Sequence, residues 1–125
     1  MNIVDSSFWI EYFGNGKNVD DIDNIINDTD NLLVPTVILA EVFKWVLREN
    51  GELDAIQAIS VMKYGKVVDF TEIIALNSAY FSLKYKLSFA DSIIYSFNEY
   101  FNSTLYTLDK HFKGLPNVKY FEKVD

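Results

Sequence analysis

At 125 residues, half of them hydrophobic and 16% aromatic, with five glycines and two prolines, the chain is long enough to bury a core and too apolar for disorder. It has no cysteine, which excludes disulfides, thiolate zinc sites and cysteine nucleophiles. Its net charge of −7 argues against a general nucleic-acid coat, so a phosphate substrate would have to be attracted locally or through a cation held by some of the acids.

A single domain over residues 1–125 is expected. Met1-Asn2-Ile3-Val4-Asp5 lacks the basic-then-apolar pattern of a signal peptide. The apolar run over 32–47 is broken by Pro35, Glu41 and Lys44 and is too short to span a bilayer. A soluble, cytoplasmic protein with no membrane partner is the expectation.

In chain order, Asn2-Ile3-Val4 predicts a strand, and Asp5-Ser6-Ser7 a turn into a helix through Phe13 that Asp5 or a serine caps. Gly14-Asn15-Gly16 ends that helix. Val19, Ile22, Ile25 and Ile26 recur at helical spacing and predict a helix over 18–28. Thr29-Asp30-Asn31 is a turn and Leu32-Leu33-Val34 a second strand. Pro35 opens a helix to about Arg48, closed by Asn50-Gly51. Leu53, Ile56, Ile59, Ser60 and Met62 mark a further helix, stopped by Tyr64-Gly65-Lys66. A short strand over 67–70 leads to a helix from Thr71 to about Tyr85, and Ser88-Phe89-Ala90-Asp91 opens another carrying Ile93, Ile94, Phe97 and Tyr100-Phe101. Thr104–Thr107 is a strand, Asp109–Phe112 a turn, and Val118-Lys119-Tyr120 a last edge strand.

Short apolar strands alternating with helices predict a three-layer α/β/α sandwich around a mainly parallel sheet of four to five strands. Sites in such sheets form beyond the carboxyl ends of the strands. Asp5 and Asp109 directly follow the first and fourth strands, Glu41 lies two helical turns past the second, and Asp91 sits in the first turn of its helix. All four are within reach of one cleft. Each also has a plainer role. Asp5 suits an N-cap, Asp91 the acid of a capping box begun by Ser88, and Asp109 a turn. Glu41 is the hardest to explain away. Its helical neighbours are Val37, Ile38, Lys44 and Trp45, three of them apolar. Burying its charge unpaired costs several kcal/mol or a pKa shift of roughly 3–5 units. A basic partner (Lys44 is nearest), a proton or a metal ion must compensate it.

The single histidine, His111, reads as a surface residue between Lys110 and Phe112. With no G-x-S-x-G elbow and no glycine-rich phosphate loop, neither a serine triad nor a nucleotide site is indicated. An ion held by such carboxylates should be hard and oxygen-loving, Mg²⁺ or Mn²⁺. Lys84, Lys86, Lys110 and Lys113 flank two acidic segments, either as phosphate contacts or as ordinary solvated lysines. Trp9 and Tyr12 lie near Asp5, suited to stacking on a base and better suited to the core or a partner groove.

Four segments carry a resemblance. Val4-Asp5-Ser6-Ser7, Val37-Ile38-Leu39-Ala40-Glu41-Val42, Leu87-Ser88-Phe89-Ala90-Asp91-Ser92-Ile93-Ile94 and Thr104-Leu105-Tyr106-Thr107-Leu108-Asp109-Lys110-His111-Phe112 together resemble the PIN domain family, and within it the small ribonuclease toxins of toxin–antitoxin pairs. They match the opening D-[ST]-S, the glutamate helix, the P-x-x-D-A-x-I segment (with Ser88 for Pro and Ser92 for Ala) and the L-x-T-x-D-x-x-F ending. The resemblance implies a Mg²⁺- or Mn²⁺-dependent endoribonuclease. Its catalytic acids would be Asp5, Glu41, Asp91 and Asp109. Asp5, Asp91 and Asp109 would be the metal ligands, with Ser7 and Thr107 as supporting hydroxyls. It also implies an RNA substrate, an antitoxin lying over the site, and a homodimer, for which the first helix and the Trp45 helix are apolar enough to offer surfaces. Two other readings remain at this point: a PIN-like domain that binds a partner without catalysis, and a Mg²⁺-dependent phosphatase or receiver-type domain. Asp5-Ser6-Ser7 lacks the acidic pair a receiver needs.

Overall fold

The computed structural model describes residues 1–14, 16 and 19–124. Five strands, β1 (Asn2–Val4), β2 (Leu32–Pro35), β3 (Lys66–Val68), β4 (Thr104–Thr107) and β5 (Val118–Tyr120), are joined by helices α1 (Ser6–Phe13), α2 (Val19–Asn27), α3 (Thr36–Asn50), α4 (Glu52–Met62), α5 (Glu72–Tyr85) and α6 (Phe89–Tyr100). The strands lie in the order β3-β2-β1-β4-β5, and every pairing is parallel. The expected α/β sandwich is therefore found, with a sheet that is parallel throughout.

Parallel strands in the middle of a sheet are buried on both faces, and their sequences show it. Every residue of β2 is buried, as are Ile3, Val4, Leu105, Tyr106 and Thr107. The edge strands β3 and β5 are only partly covered. Against the sheet pack Phe8 and Trp9 of α1, Ile38, Val42 and Val46 of α3, and Ile93, Ile94, Tyr95 and Phe97 of α6, all in one core.

Helix ends follow local chemistry. Gly14 closes α1 by donating its N–H to the Ile10 carbonyl at 2.9 Å. Gly51 ends α3 at φ 91°, a left-handed conformation that an L side chain resists. The Thr71 hydroxyl caps α5 by accepting from the Ile74 N–H, and Ser96 Oγ ties α6 to α5 by donating to the Ile74 carbonyl at 2.7 Å. Three expectations shift. Residues 29–31 and 110–112 form single turns of 3-10 helix. The strand expected over 67–70 runs instead over Lys66–Val68, because Thr71 starts α5 and Phe70 packs toward Phe97. The expected start of the second helix at residue 18, and Asn15 of the preceding turn, lie outside the described residues.

The chain builds outward from β1 through β2 to β3, then returns across β1 to place β4 and β5 on its other side. The sheet order therefore reverses between β1 and β4, and the crevice beyond their carboxyl ends is the natural ligand site of a doubly wound sheet.

Candidate active site

Asp5 stands at that point of reversal. The strand ends there with its N–H donating to the Tyr106 carbonyl of β4 at 2.9 Å, and its side chain, in a residue only 3% exposed, turns into the start of α1. Oδ1 accepts from the Ser6 N–H at 2.9 Å, and Oδ2 accepts from Ser7 Oγ at 2.9 Å and Thr107 Oγ1 at 2.7 Å. Burial pushes its carboxyl above the usual range and the nearby Asp109 charge adds to this, while the Thr107, Ser7 and Ser6 donors oppose it.

The two hydroxyls lace the strand ends together. Thr107 Oγ1, buried at the end of β4, also accepts from the Asp109 N–H at 2.9 Å, and Ser7 Oγ accepts from the Leu108 N–H at 3.0 Å. Ser7 and Thr107 thus fix Asp5 and aim the segment that carries Asp109. Asp109 caps the 3-10 turn by accepting from the His111 N–H at 2.9 Å, and Phe112, fully buried, anchors that turn in the core. Asp91 enters from α6, where its N–H donates to Ser88 Oγ at 3.3 Å. Burial first, then the Asp109 charge, raises its pKa, and Ser88 and His111 counter this.

Glu41, in the middle of α3, meets the Ser6 side chain at the start of α1. Burial, then repulsion from Asp5, with smaller contributions from Asp91 and Asp109, raises its pKa to about 7 against a lowering by the Ser6 hydroxyl. Its Oε1 is buried and has no hydrogen-bond partner among the described residues. Of the three ways to compensate Glu41, the ion pair with Lys44 is not formed among the described residues. Lys44 instead lines a shallow pocket with Ser6, Ile10, Glu41, Trp45 and Arg48. The four acids named from the sequence influence one another electrostatically, and the tightest group of donors joins two of them to His111. Donor atoms of Asp91, Asp109 and His111 lie within 4.8 Å of one another, while Asp5 and Glu41 border this group.

His111 is the residue that sequence reading passed over. It is exposed as expected, yet its Nδ1 lies 3.1 Å from Asp109 Oδ1 and 3.6 Å from Asp91 Oδ2. The one available signal was its position two residues after an acid on a tight turn, which brings the two side chains alongside. Trp9 is buried and stacks on Phe13, the core packing to which it was better suited, so it is not available to stack on a base; Tyr12 is half-buried. Of the flanking lysines, Lys84 and Lys113 lie over the rings of Tyr85 and Tyr120.

The residues fit a divalent cation. Mutually repelling carboxylates, three of them raised toward protonation, and a buried carboxylate oxygen without a donor are together what a bound ion would relieve. The donors are oxygens apart from one imidazole nitrogen.

The backbone that carries this site has known counterparts. A toxin–antitoxin complex from Klebsiella pneumoniae superposes with a TM-score of 0.83 at 18% identity, covering 98% of this chain and 99% of that one. VapC20 of Mycobacterium tuberculosis, a toxin that cleaves the sarcin–ricin loop, superposes at 0.76 and 16% identity over 94% and 97%. DNA-bound VapBC from Salmonella typhimurium superposes at 0.77 and 12% identity over 97% and 96%. At these identities the likeness is one of fold. No curated protein matches the chain in sequence. The PIN domain family model matches residues 3–118, nearly the whole chain and every element described above except the first residue of β1 and the end of β5: the protein belongs to the PIN domain family.

Proposed function

We propose that this PIN domain is a Mg²⁺- or Mn²⁺-dependent endoribonuclease that hydrolyses RNA phosphodiester bonds, acting as the toxin of a type II toxin–antitoxin pair. The observation that carries the reading is the group of Asp91 and Asp109 beside His111, with donor atoms within 4.8 Å, to which Asp5 and Glu41 are coupled by charge repulsion, Glu41 Oε1 being buried and unpaired among the described residues. Toxin–antitoxin proteins among the structures of the same fold support the biological setting.

In this reading Asp91 and Asp109 hold the ion, with Asp5 behind them kept rigid by Ser6, Ser7 and Thr107. When bound, the ion supplies positive charge that offsets carboxylate repulsion and stabilises the charge that builds on a phosphodiester during attack. In this reading the Glu41 carboxylate accepts the proton of the attacking water. Single-stranded loops of structured RNA suit such a crevice better than duplex. An antitoxin segment would cover the site. The apolar groove between α3 and α4, lined by Leu39, Phe43, Ile56 and Ile59, is suited to an apolar segment of it. No helix among the described residues is long and apolar enough to cross a membrane.

The test is cleavage of structured RNAs in Mn²⁺ by the wild type, Asp5→Asn and Asp91→Asn. Both variants should lose more than ~100-fold in rate, beyond the 10–100-fold typical of lost supporting contacts. Cleavage retained equally in both would refute the assignment. Tight RNA binding without turnover by the wild type would favour a domain that only binds.

A further inference from the structure

We propose that His111 is a nitrogen ligand of the ion held by Asp91 and Asp109, and that the site therefore favours Mn²⁺ and later first-row divalent ions over Mg²⁺. This rests on the divalent-ion reading above and adds a donor that an all-carboxylate set lacks.

The geometry carries it. His111 Nδ1 lies 3.1 Å from Asp109 Oδ1 and 3.6 Å from Asp91 Oδ2, and the donor atoms of the three residues all fall within 4.8 Å. Neighbouring ligand atoms around a small ion at roughly 2.1 Å stand about 3 Å apart, so this spread fits one shared ion with little rearrangement. The turn that carries the ring is also fixed. The His111 N–H donates to Asp109 Oδ1, Asp109 caps the turn, and buried Phe112 pins the turn to the core. Such preorganisation lowers the entropy cost of adding a ligand. A separate observation points to positive charge nearby: Glu41 Oε1 is buried without a hydrogen-bond partner among the described residues, and its carboxyl is repelled by Asp91 and Asp109.

The donor chemistry then sets the preference. Imidazole nitrogen adds little for Mg²⁺, which prefers oxygen and keeps its water, and progressively more along the series from Mn²⁺ to Ni²⁺. Because His111 is the only histidine in the chain, an imidazole signal from a tag-free sample has one source.

The experiment combines titration calorimetry of Mg²⁺, Mn²⁺ and Ni²⁺ with pulsed electron paramagnetic resonance of the Mn²⁺-loaded protein, on wild type and His111→Asn. The His111 side chain is 68% exposed, so the substitution leaves the core untouched. The expected result is imidazole nitrogen coupling to Mn²⁺ in the wild type that disappears in His111→Asn. Ni²⁺ affinity should fall by roughly 10–100-fold, with less than about a 3-fold change for Mg²⁺. Mn²⁺ bound by the wild type without nitrogen coupling, or a Ni²⁺-to-Mg²⁺ affinity ratio unchanged in His111→Asn, would overturn the proposal and leave the divalent-ion site standing. Tighter binding in His111→Asn would also overturn it, by showing that the ring acts as a rival cation. Failure of the wild type to bind any of the three ions would bring down both.

Discussion

At the scale of single residues, the plain and the functional roles of the acids turn out to be the same placement. Asp5 does cap α1 and Asp109 does cap its turn, because helix and turn starts lie at the carboxyl ends of parallel strands, where ligands also bind. Thr107 shows how tightly the placement is enforced, since one hydroxyl serves both Asp5 and the Asp109 N–H. Thr107→Val should cost about 1–3 kcal/mol in urea unfolding, the range for orphaning buried polar groups. It should also weaken Mn²⁺ binding on the order of 10-fold or more by calorimetry. Glu41 makes a pH prediction whose sign follows from its raised pKa. Its contribution to stability is fully present below the ordinary carboxylate range and is lost as pH rises through about 7, and the raised Asp5 and Asp91 act in the same direction. Ion-free protein in chelator should therefore melt higher at about pH 5.5 than at about pH 8, and Glu41→Gln should flatten that difference. Glu41 was legible in the sequence because a carboxylate on an apolar helical stripe is costly wherever it falls. His111 was not, because its nearness to Asp91 depends on how α6 sits beside β4.

Elements were more legible than contacts. Strands β1, β2, β4 and β5 and all six helices fall where apolar period and capping residues predict them, with ends differing by a residue or two. Local signals such as Ser88 before α6 and Gly51 after α3 are sufficient for that. The end of β3 depended instead on tertiary competition from Thr71 and Phe70. Gly65 illustrates what pattern alone misses. It reads as a helix stop, yet a Cβ there would lie 3.0 Å from both the Leu32 carbonyl oxygen and Val34 Cγ2, so it is the residue that lets the chain enter β3 against β2. Gly65→Ala should destabilise the protein by about 1–3 kcal/mol in chemical denaturation, with a larger effect than an alanine at exposed Gly114, where φ is positive but no atom lies within contact range.

For the whole molecule, the surface carries a feature that periodicity concealed. Helix α5 buries Ile74 and Ser78 on one side and exposes Ile73, Leu76, Tyr80 and Leu83 on another, with Leu83 84% exposed and Phe89 of α6 beside them at 78%. Apolar on both sides, the helix shows no single hydrophobic stripe. Its exposed residues are spaced three and four apart, as in a helix–helix seam. This is a better surface for the homodimer that the family resemblance implies than α1, whose Phe8 and Trp9 are buried. Sedimentation at micromolar concentration should show a dimer that Leu83→Glu converts to monomer without loss of helical content. A wild-type monomer would remove the dimer from the account. The central claim, that carboxylates distant in sequence share one divalent ion, is tested most directly by anomalous diffraction from crystals grown in millimolar Mn²⁺. The account predicts a manganese peak at roughly 2.2 Å from carboxylate oxygens of Asp91 and Asp109, in the crevice that Asp5 and Glu41 border. A fully ordered crevice with no such peak, or manganese bound only elsewhere on the surface, would contradict it.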